Sequence, residues 1–349
     1  MSDTLSTNGS LLIVKPSALG DVAQAVGVAR AIKTVRPDVR IGWLVNREFA
    51  GLLRPLSFIS RVHEFDRRGL AGVRGLGRLY TLIRELSAVR YDAVLDMQGL
   101  LRSGVLAWLS GAGKRIGFSD AREGASFFYT DRVQPSPGAV HSVERMCALL
   151  PALGVDAEQD EQNGHFEVSY DENARVRRLL GTDVSPIVLC PGAQWKSKMW
   201  PVEHWAALAS KLREATDAPI VLIASEAERE LTARIADFCS VPLLDLGGKT
   251  SLRELVALFS IARLVVSNDS GPMHLASAQG TPLIALFGPT DPSRTGPWGS
   301  GSLVIRAPNA PDDHRAYRRI SDDRVMRRIS VESVLVAAHN RLSEGHPVA

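Results

Sequence analysis

The stretch Leu264 to Pro292 (LVVSNDSGPMHLASAQGTPLIALFGPTDP) constrains the fold more than any other segment, because it reads as strand, tight turn, short helix and second strand. Leu264 to Val266 is an apolar run with β-branched residues, and Asn268 to Gly271 is turn chemistry. Pro272 suits the first helical turn, where its missing N–H costs nothing. The free N–H groups of that helix, with the positive end of its dipole, would face an anion lying beyond the carboxyl end of the sheet. Asp269, Ser270 and His274 would line the same edge. A plainer reading makes Asp269 or Ser270 a helix cap and His274 an ordinary half-buried imidazole. Taken singly, each residue fits both.

Strands and helices alternate along the whole chain: LLIVK, a helix from Asp21, IGWLV and YDAVLDM, then PIVLC, APIVLIAS, VPLLDL, RLVVSN and PLIALFG. This alternation is the signature of parallel α/β sheets. The strands form two sets separated by the polar stretch Asp156 to Asn173, where a hinge is expected. The expected division is a disordered arm over 1–10, an N-terminal domain over 11–172, a C-terminal domain over 173–329 and a terminal helix and tail over 330–349. In that last part SVESVLVAAHNRL has apolar residues at helical spacing behind the Ser330 cap and should dock on a domain surface. Ligands of open α/β sheets bind beyond the carboxyl strand ends, so two such domains are expected to face a cleft.

A chain of 349 residues is longer than one core usually organises. Charged residues at 23% and hydrophobic ones at 45% are those of a soluble globular protein, and no apolar run approaches the roughly 20 residues that span a bilayer. The polar start MSDTLSTNGS lacks a basic segment followed by an apolar core, so no signal peptide is expected there. Cys147, Cys190 and Cys239 have no metal-ligand spacing and read as reduced thiols placed in cores. A net charge of +3 without an aromatic-interleaved basic stripe argues against a nucleic-acid partner.

The first strand, LLIVKPSALGDV, runs into a Gly-containing loop and a helix near Asp21. Asp21 and Gln24 fit a capping box, which is the structural role. A carboxylate at that strand end also suits a general base towards a substrate hydroxyl. Local reading leaves both open. Asp92 and Asp96 flank the strand of VLDMQG with poor geometry for a shared ion, and Asp96 reads as structural or acceptor-side.

Together, SALGDV, CPGAQWKSKMWP and NDSGPMHLASAQGTPLIALFGPTDP resemble glycosyltransferase family 9, the ADP-heptose:lipopolysaccharide heptosyltransferases, over nearly the whole chain. The resemblance implies an α/β fold of the GT-B type, two Rossmann-like domains about a central cleft. The N-terminal one would hold the acceptor and the C-terminal one the sugar nucleotide. It puts the family's catalytic base on Asp21 and its diphosphate lysine on Lys198. The family's DSGxxH segment falls on Asp269, Ser270, Gly271 and His274, and its ribose-contacting acid on Glu228, which read locally is a first-turn helix glutamate. Gln194, in the CPGAQ loop, joins this donor set. The implied reaction is an inverting, single displacement that needs no metal and no cofactor, consistent with the lack of an Asp-x-Asp pair at a strand end.

The segments DMQGLLRSG, GFSDAREGAS and HSVERM resemble family members that use Kdo-bearing lipid A, a polyanion. They imply acceptor contacts for Arg102, Arg122 and Arg145, with Arg67 and Arg68 in a loop that adds to the same patch. Arginine suits carboxylate and phosphate through its planar fork, and internal pairing is least expected for Arg122 and Arg145. Gly192, Ala193 and Gln194 instead look like members acting on an already heptosylated acceptor. Peripheral, transient contact with the cytoplasmic face of the inner membrane follows from a lipid-borne acceptor. Rival readings are a GT-B hydrolase or epimerase, which leaves the arginine patch without purpose, and a non-catalytic nucleotide-sugar-binding protein, against which Asp21 and Lys198 stand. A Rossmann dehydrogenase lacks its G-x-G-x-x-G after the first strand.

Overall fold

Most central strands are short runs of Val, Ile and Leu in which every residue is buried, as expected where helices cover both faces of a parallel sheet. The computed structural model describes residues 8–66, 72–136, 138–156, 164–299, 301–311 and 316–344. The chain divides into two compact units, Met1–Glu167 and Val168–Ala349.

The first unit holds β1 (Ser10–Val14), β2 (Arg40–Asn46), β3 (Ile59–Phe65), β4 (Ala93–Asp96), β5 (Lys114–Phe118) and β6 (Asp131–Val133). They form one parallel sheet in the order β3-β2-β1-β4-β5-β6. Its helices are α1 (Leu19–Val35), α2 (Arg47–Leu53), α3 (Gly72–Val89), α4 (Leu101–Leu109) and α5 (Ser142–Cys147). The second unit holds β7 (Ile187–Cys190), β8 (Ile220–Leu222), β9 (Leu244–Asp245), β10 (Leu264–Asn268), β11 (Leu283–Phe287) and β12 (Ser302–Arg306), paired in parallel in the order β12-β11-β10-β7-β8-β9. Read from its first strand, this is the connectivity of the first unit, the doubly wound order of dinucleotide-binding sheets. Its helices are α6 (Tyr170–Leu180), α7 (Val202–Ala215), α8 (Arg229–Phe238), α9 (Leu252–Ile261), α10 (Gly271–Ala278), α11 (Pro292–Thr295) and α12 (Val331–Ser343).

Local chemistry sets the helix ends. Ser251 caps α9 by accepting from the Glu254 N–H at 3.2 Å, while the Glu254 carboxylate accepts from the Ser251 N–H at 2.8 Å. Gly181 closes α6 at φ 66°, a conformation that glycine enters without penalty. Ser330 caps α12, which buries Val334, Ala337 and Ala338 in the core of the second unit beside Trp200 and Trp205. Those two indoles meet edge to face at 5.1 Å, and truncating either would cost about 3–5 kcal/mol.

Two expectations are corrected here. The first helix starts at Leu19 rather than at Asp21, with Ala18 as its N-cap, so Asp21 lies inside the first turn. Cys190 is buried, but Cys147 and Cys239 are only half-buried. No helix among the described residues is long and apolar enough to cross a membrane. In each sheet the strand order reverses once, at β1/β4 and at β7/β10. Loops at those carboxyl ends diverge and leave room for a ligand.

Candidate active site

In the first unit β1 ends in Lys15-Pro16-Ser17-Ala18 and turns into α1. Lys15 is buried, and its Nζ lies 3.1 Å from Asp21 Oδ2 and 3.4 Å from the carbonyl oxygen of Met97, just past β4. The Ala18 N–H donates to the same Asp21 oxygen over a long 3.4 Å. Asp21 nevertheless remains 44% exposed, so its carboxylate is held from behind and open in front. The expected box with Gln24 does not form, because the helix starts at Leu19 and makes Asp21 its third residue, with the Asp21 carboxylate facing back to the Ala18 N–H; Gln24 Oε1 instead accepts from the Ser142 hydroxyl of α5 at 2.7 Å.

Asp96, at the end of β4, is fully buried and accepts from the N–H groups of Gln98 (2.9 Å) and Gly99 (3.1 Å) and from the Tyr129 hydroxyl (2.7 Å). Burial pushes its carboxyl up, against the pull of these bonds and of Ser103. Asp96 thus organises the turn that leads into α4, where Gly99 sits at φ 65° and its carbonyl accepts from the Arg122 N–H at 3.0 Å. Arg102 lies over the Phe65 ring at 5.8 Å, and neither Arg102 nor Arg122 has a carboxylate partner among the described residues. Arg145 departs from expectation. Its guanidinium meets both oxygens of Asp120 at 2.5 and 2.7 Å and stacks on Phe118 at 4.5 Å, since β5 and α5 bring them together. Arg67 and Arg68 lie outside the described residues.

In the second unit the loop after β7 carries Gly192, Ala193 and Gln194 into the turn Lys196–Lys198. Lys198 Nζ lies 2.7 Å from Asp269 Oδ2, the carboxylate being 6% exposed and the lysine 16%. Asn268 ties this loop down, donating to the Pro191 carbonyl at 2.7 Å and accepting from the Trp200 N–H at 3.3 Å. Ser270 is the N-cap residue of α10 but makes no side-chain cap bond, and Gly271 opens the helix. The first N–H groups of α10 therefore point out of the sheet edge beside the Lys198 ammonium, a combination suited to an anion. His274 is half-buried on α10, and Gln194 is exposed. Glu228 caps its own turn, its Oε2 accepting from the Ser225 N–H at 3.1 Å and hydroxyl at 2.6 Å. It also packs on the β7 loop, where a Cβ on Gly192 would lie 2.5 Å from Glu228 Oε1.

Sequence reading missed Lys15 and Tyr317. Lys15 left a signal, a charge closing a wholly apolar strand. Tyr317 left none: it reaches the site from a distant arginine-rich segment, putting its ring 4.8 Å from Lys198 Nζ and 5.4 Å from the Trp195 ring, edge on.

Two units of doubly wound topology are the architecture of GT-B glycosyltransferases. The profile of glycosyltransferase family 9 (heptosyltransferase) matches residues 79–320. The chain is 30% identical over 300 residues to the lipopolysaccharide core heptosyltransferase OpsX of Haemophilus influenzae, spanning 85% of this chain and 84% of that protein. Lipopolysaccharide heptosyltransferase 1 of Escherichia coli is 28% identical over 308 residues, 85% and 93% of the two chains. The structure of E. coli heptosyltransferase WaaC with ADP is similar at 26% identity and TM-score 0.76, covering 95% of this chain and 99% of that one. That of E. coli ADP-heptose lps heptosyltransferase II shares the fold at TM-score 0.79 and 23% identity, with 96% and 99% covered. The chain belongs to glycosyltransferase family 9. Its fold is GT-B and it is a glycosyltransferase, as the motifs implied.

Proposed function

We propose that this enzyme transfers heptose from ADP-heptose to the Kdo of Kdo-bearing lipid A, the heptosyltransferase I reaction of lipopolysaccharide inner-core assembly. The observation that carries the reading is the solvent-open Asp21 carboxylate, steadied by Lys15 at a sheet's switch point. Asp21 accepts the proton of the acceptor hydroxyl while that oxygen attacks the anomeric carbon, and the bond to ADP breaks on the opposite face. The configuration inverts. Negative charge growing on the departing diphosphate is met by Lys198 and the first N–H groups of α10, with Asp269 holding the ammonium in place. Gly271 gives the diphosphate backbone access, His274, Ser270 and Gln194 line the donor side, and Glu228 takes a ribose hydroxyl. Positive charge thus comes from the protein, and turnover is expected without a metal.

Arg102 and Arg122, free of carboxylate partners among the described residues, suit the acceptor's phosphates and carboxylates, and Arg145 contributes once drawn from Asp120; Arg67 and Arg68 belong to the same proposal. Exposed Leu101, Trp108 and Phe127 of the same unit fit a transient, peripheral contact with the cytoplasmic face of the inner membrane. One observation favours a second reading. The Gly192-Ala193-Gln194 loop resembles that of enzymes extending an already heptosylated acceptor, which is the heptosyltransferase II reaction.

ADP release from ADP-heptose, measured with Kdo-lipid A, heptosyl-Kdo-lipid A or no acceptor, with and without EDTA, tests both. Release that requires Kdo-lipid A and ignores EDTA is expected. Preference for the heptosylated acceptor would establish the second reading, and no release with either would overturn both.

A further inference from the structure

The carboxyl edge of the first unit's sheet encloses a cavity of about 50 Å³ that no step above uses. Successive strand ends wall it: Ser17 after β1, Asn46 closing β2, Phe65 closing β3 and Gln98 after β4, with Arg102 and Leu106 of α4 completing it. Asn46 is 8% exposed, and its Oδ1 is buried without a hydrogen-bond partner. Buried amide oxygens are almost always paired, so an orphan on a side chain that lines a cavity marks a place for a ligand's donor. Arg102 supplies the opposite capability: its guanidinium rests on the Phe65 ring and meets no carboxylate among the described residues. The space is too small for a whole sugar ring and large enough for a substituent of a few heavy atoms.

We infer that this cavity is a socket for a hydroxylated sugar acid of the acceptor, in which Arg102 takes the carboxylate through its planar fork and Asn46 pairs with a neighbouring hydroxyl. The inference rests on the reading that this unit binds the acceptor. Ser17, on the rim, belongs to the loop that leads to Asp21, so a sugar anchored here turns its remaining hydroxyls towards the base. Asn46 is then a specificity-determining residue. An acid is favoured over a neutral sugar because only the acid gives Arg102 a counter-ion, and a deoxygenated sugar is disfavoured because the Asn46 amide would be left unpaired.

The test uses the full chain with free Kdo as the probe, followed by saturation-transfer NMR, and with glucose as the neutral control. Wild type should bind Kdo and ignore glucose. Asn46→Leu, which fills the socket, should abolish binding, and the isosteric Asn46→Asp, which repels a carboxylate, should weaken it at least tenfold. Thermal melts check folding, and Asn46→Asp decides alone where Asn46→Leu does not fold. In turnover, Asn46→Asp should raise the acceptor KM at least tenfold and leave the ADP-heptose KM unchanged. No Kdo binding by wild type, or equal binding by Asn46→Asp, would overturn the socket even if heptose transfer proceeds. Kdo binding that Asn46→Asp loses, in an enzyme that releases no ADP with Kdo-lipid A, would support the socket while refuting the proposed reaction.

Discussion

Replacing Lys198 with methionine separates what the anion site contributes to stability from what it contributes to turnover. Lys198 and Asp269 are 16% and 6% exposed, and their charged atoms are 2.7 Å apart. Removing the ammonium leaves a buried carboxylate without its counter-ion, a loss of about 3–5 kcal/mol for a fully buried pair. Lys198 retains some access to water, which puts the expected cost near the lower end, about 3 kcal/mol. Hydrogen exchange of peptides spanning β7 and β10 should therefore quicken by about a hundredfold. Adding Asp269→Asn removes the second charge, and the double variant should regain all but about 1 kcal/mol. Activity should not follow. In the proposed role the ammonium is the preorganised partner of the leaving diphosphate, so kcat/KM for ADP-heptose should fall by about two to three orders of magnitude in both variants. Recovery of turnover together with stability in the double variant would refute the assigned role of Lys198. Unchanged exchange in the single variant would refute the buried pair.

Asp21→Asn should lower kcat by about two to four orders of magnitude with both KM values little changed, and undiminished turnover would remove the proposed base. Gly192→Ala drives a methyl group against the Glu228 carboxylate and should raise the ADP-heptose KM severalfold; a further Glu228→Ala change that fails to relieve the crowding of the loop, read by hydrogen exchange at β7, would show that the clash is not the cause. Acid should weaken each unit through a group that folding holds below its usual value. Burial, with Arg61 nearby, holds His63 neutral down to about 4 from its usual 6.5, so the unfolded chain binds the proton first and the first unit loses on the order of 3 kcal/mol between those values. The Arg253 hydrogen bonds hold Glu172 at about 2 against 4.5, so the second unit keeps that contribution above pH 4.5 and loses it between 4.5 and 2. Hydrogen exchange against pH checks both, and His63→Gln should shrink the first unit's loss between 6.5 and 4 without removing it, since burial also holds His165 down.

Legibility followed burial. The strands at the middle of each sheet, such as Ser10–Val14 and Leu283–Phe287, are covered on both faces and read directly as apolar runs. Several strands nearer the edges did not, although β9 within VPLLDL did. β3 (ISRVHEF), β5 (KRIGF), β6 (DRV) and β12 (SLVIR) carry Arg61, Glu64, Lys114, Arg132 and Arg306 on exposed or half-exposed positions, which breaks the pattern that marks a strand. The site divided the same way. Asp21, Lys198 and the Asp269 turn stand in contiguous motifs that local chemistry and family resemblance both reach. Which partner each one meets is decided by tertiary packing: Lys15 for Asp21, Tyr317 for Lys198, Asp120 for Arg145 and Ser142 for Gln24. A residue's type states what it can bind, and only the fold states what it already has.

The two switch points make one further step possible, because each carries a lysine–carboxylate pair on the same topology with the burial reversed. In the first unit the lysine is 8% exposed and the carboxylate 44%; in the second the carboxylate is 6% exposed and the lysine 16%. The difference follows from which residue stands at a strand end. Lys15 directly follows β1, where its carbonyl accepts from the Trp43 indole and its ammonium is walled by β4, while Asp21 rides outward on the first turn of α1. Asp269 directly follows β10, and Lys198 rides on the turn beyond β7. The member at the strand end is the more desolvated and serves as counter-ion; the member on the turn is the more exposed. One sheet edge therefore exposes a carboxylate and the other an ammonium, which are the base and the cation that the proposed transfer from a diphosphate donor to a hydroxyl acceptor requires. Two similar folds come to expose opposite charges through the order in which one pair of charges meets the chain.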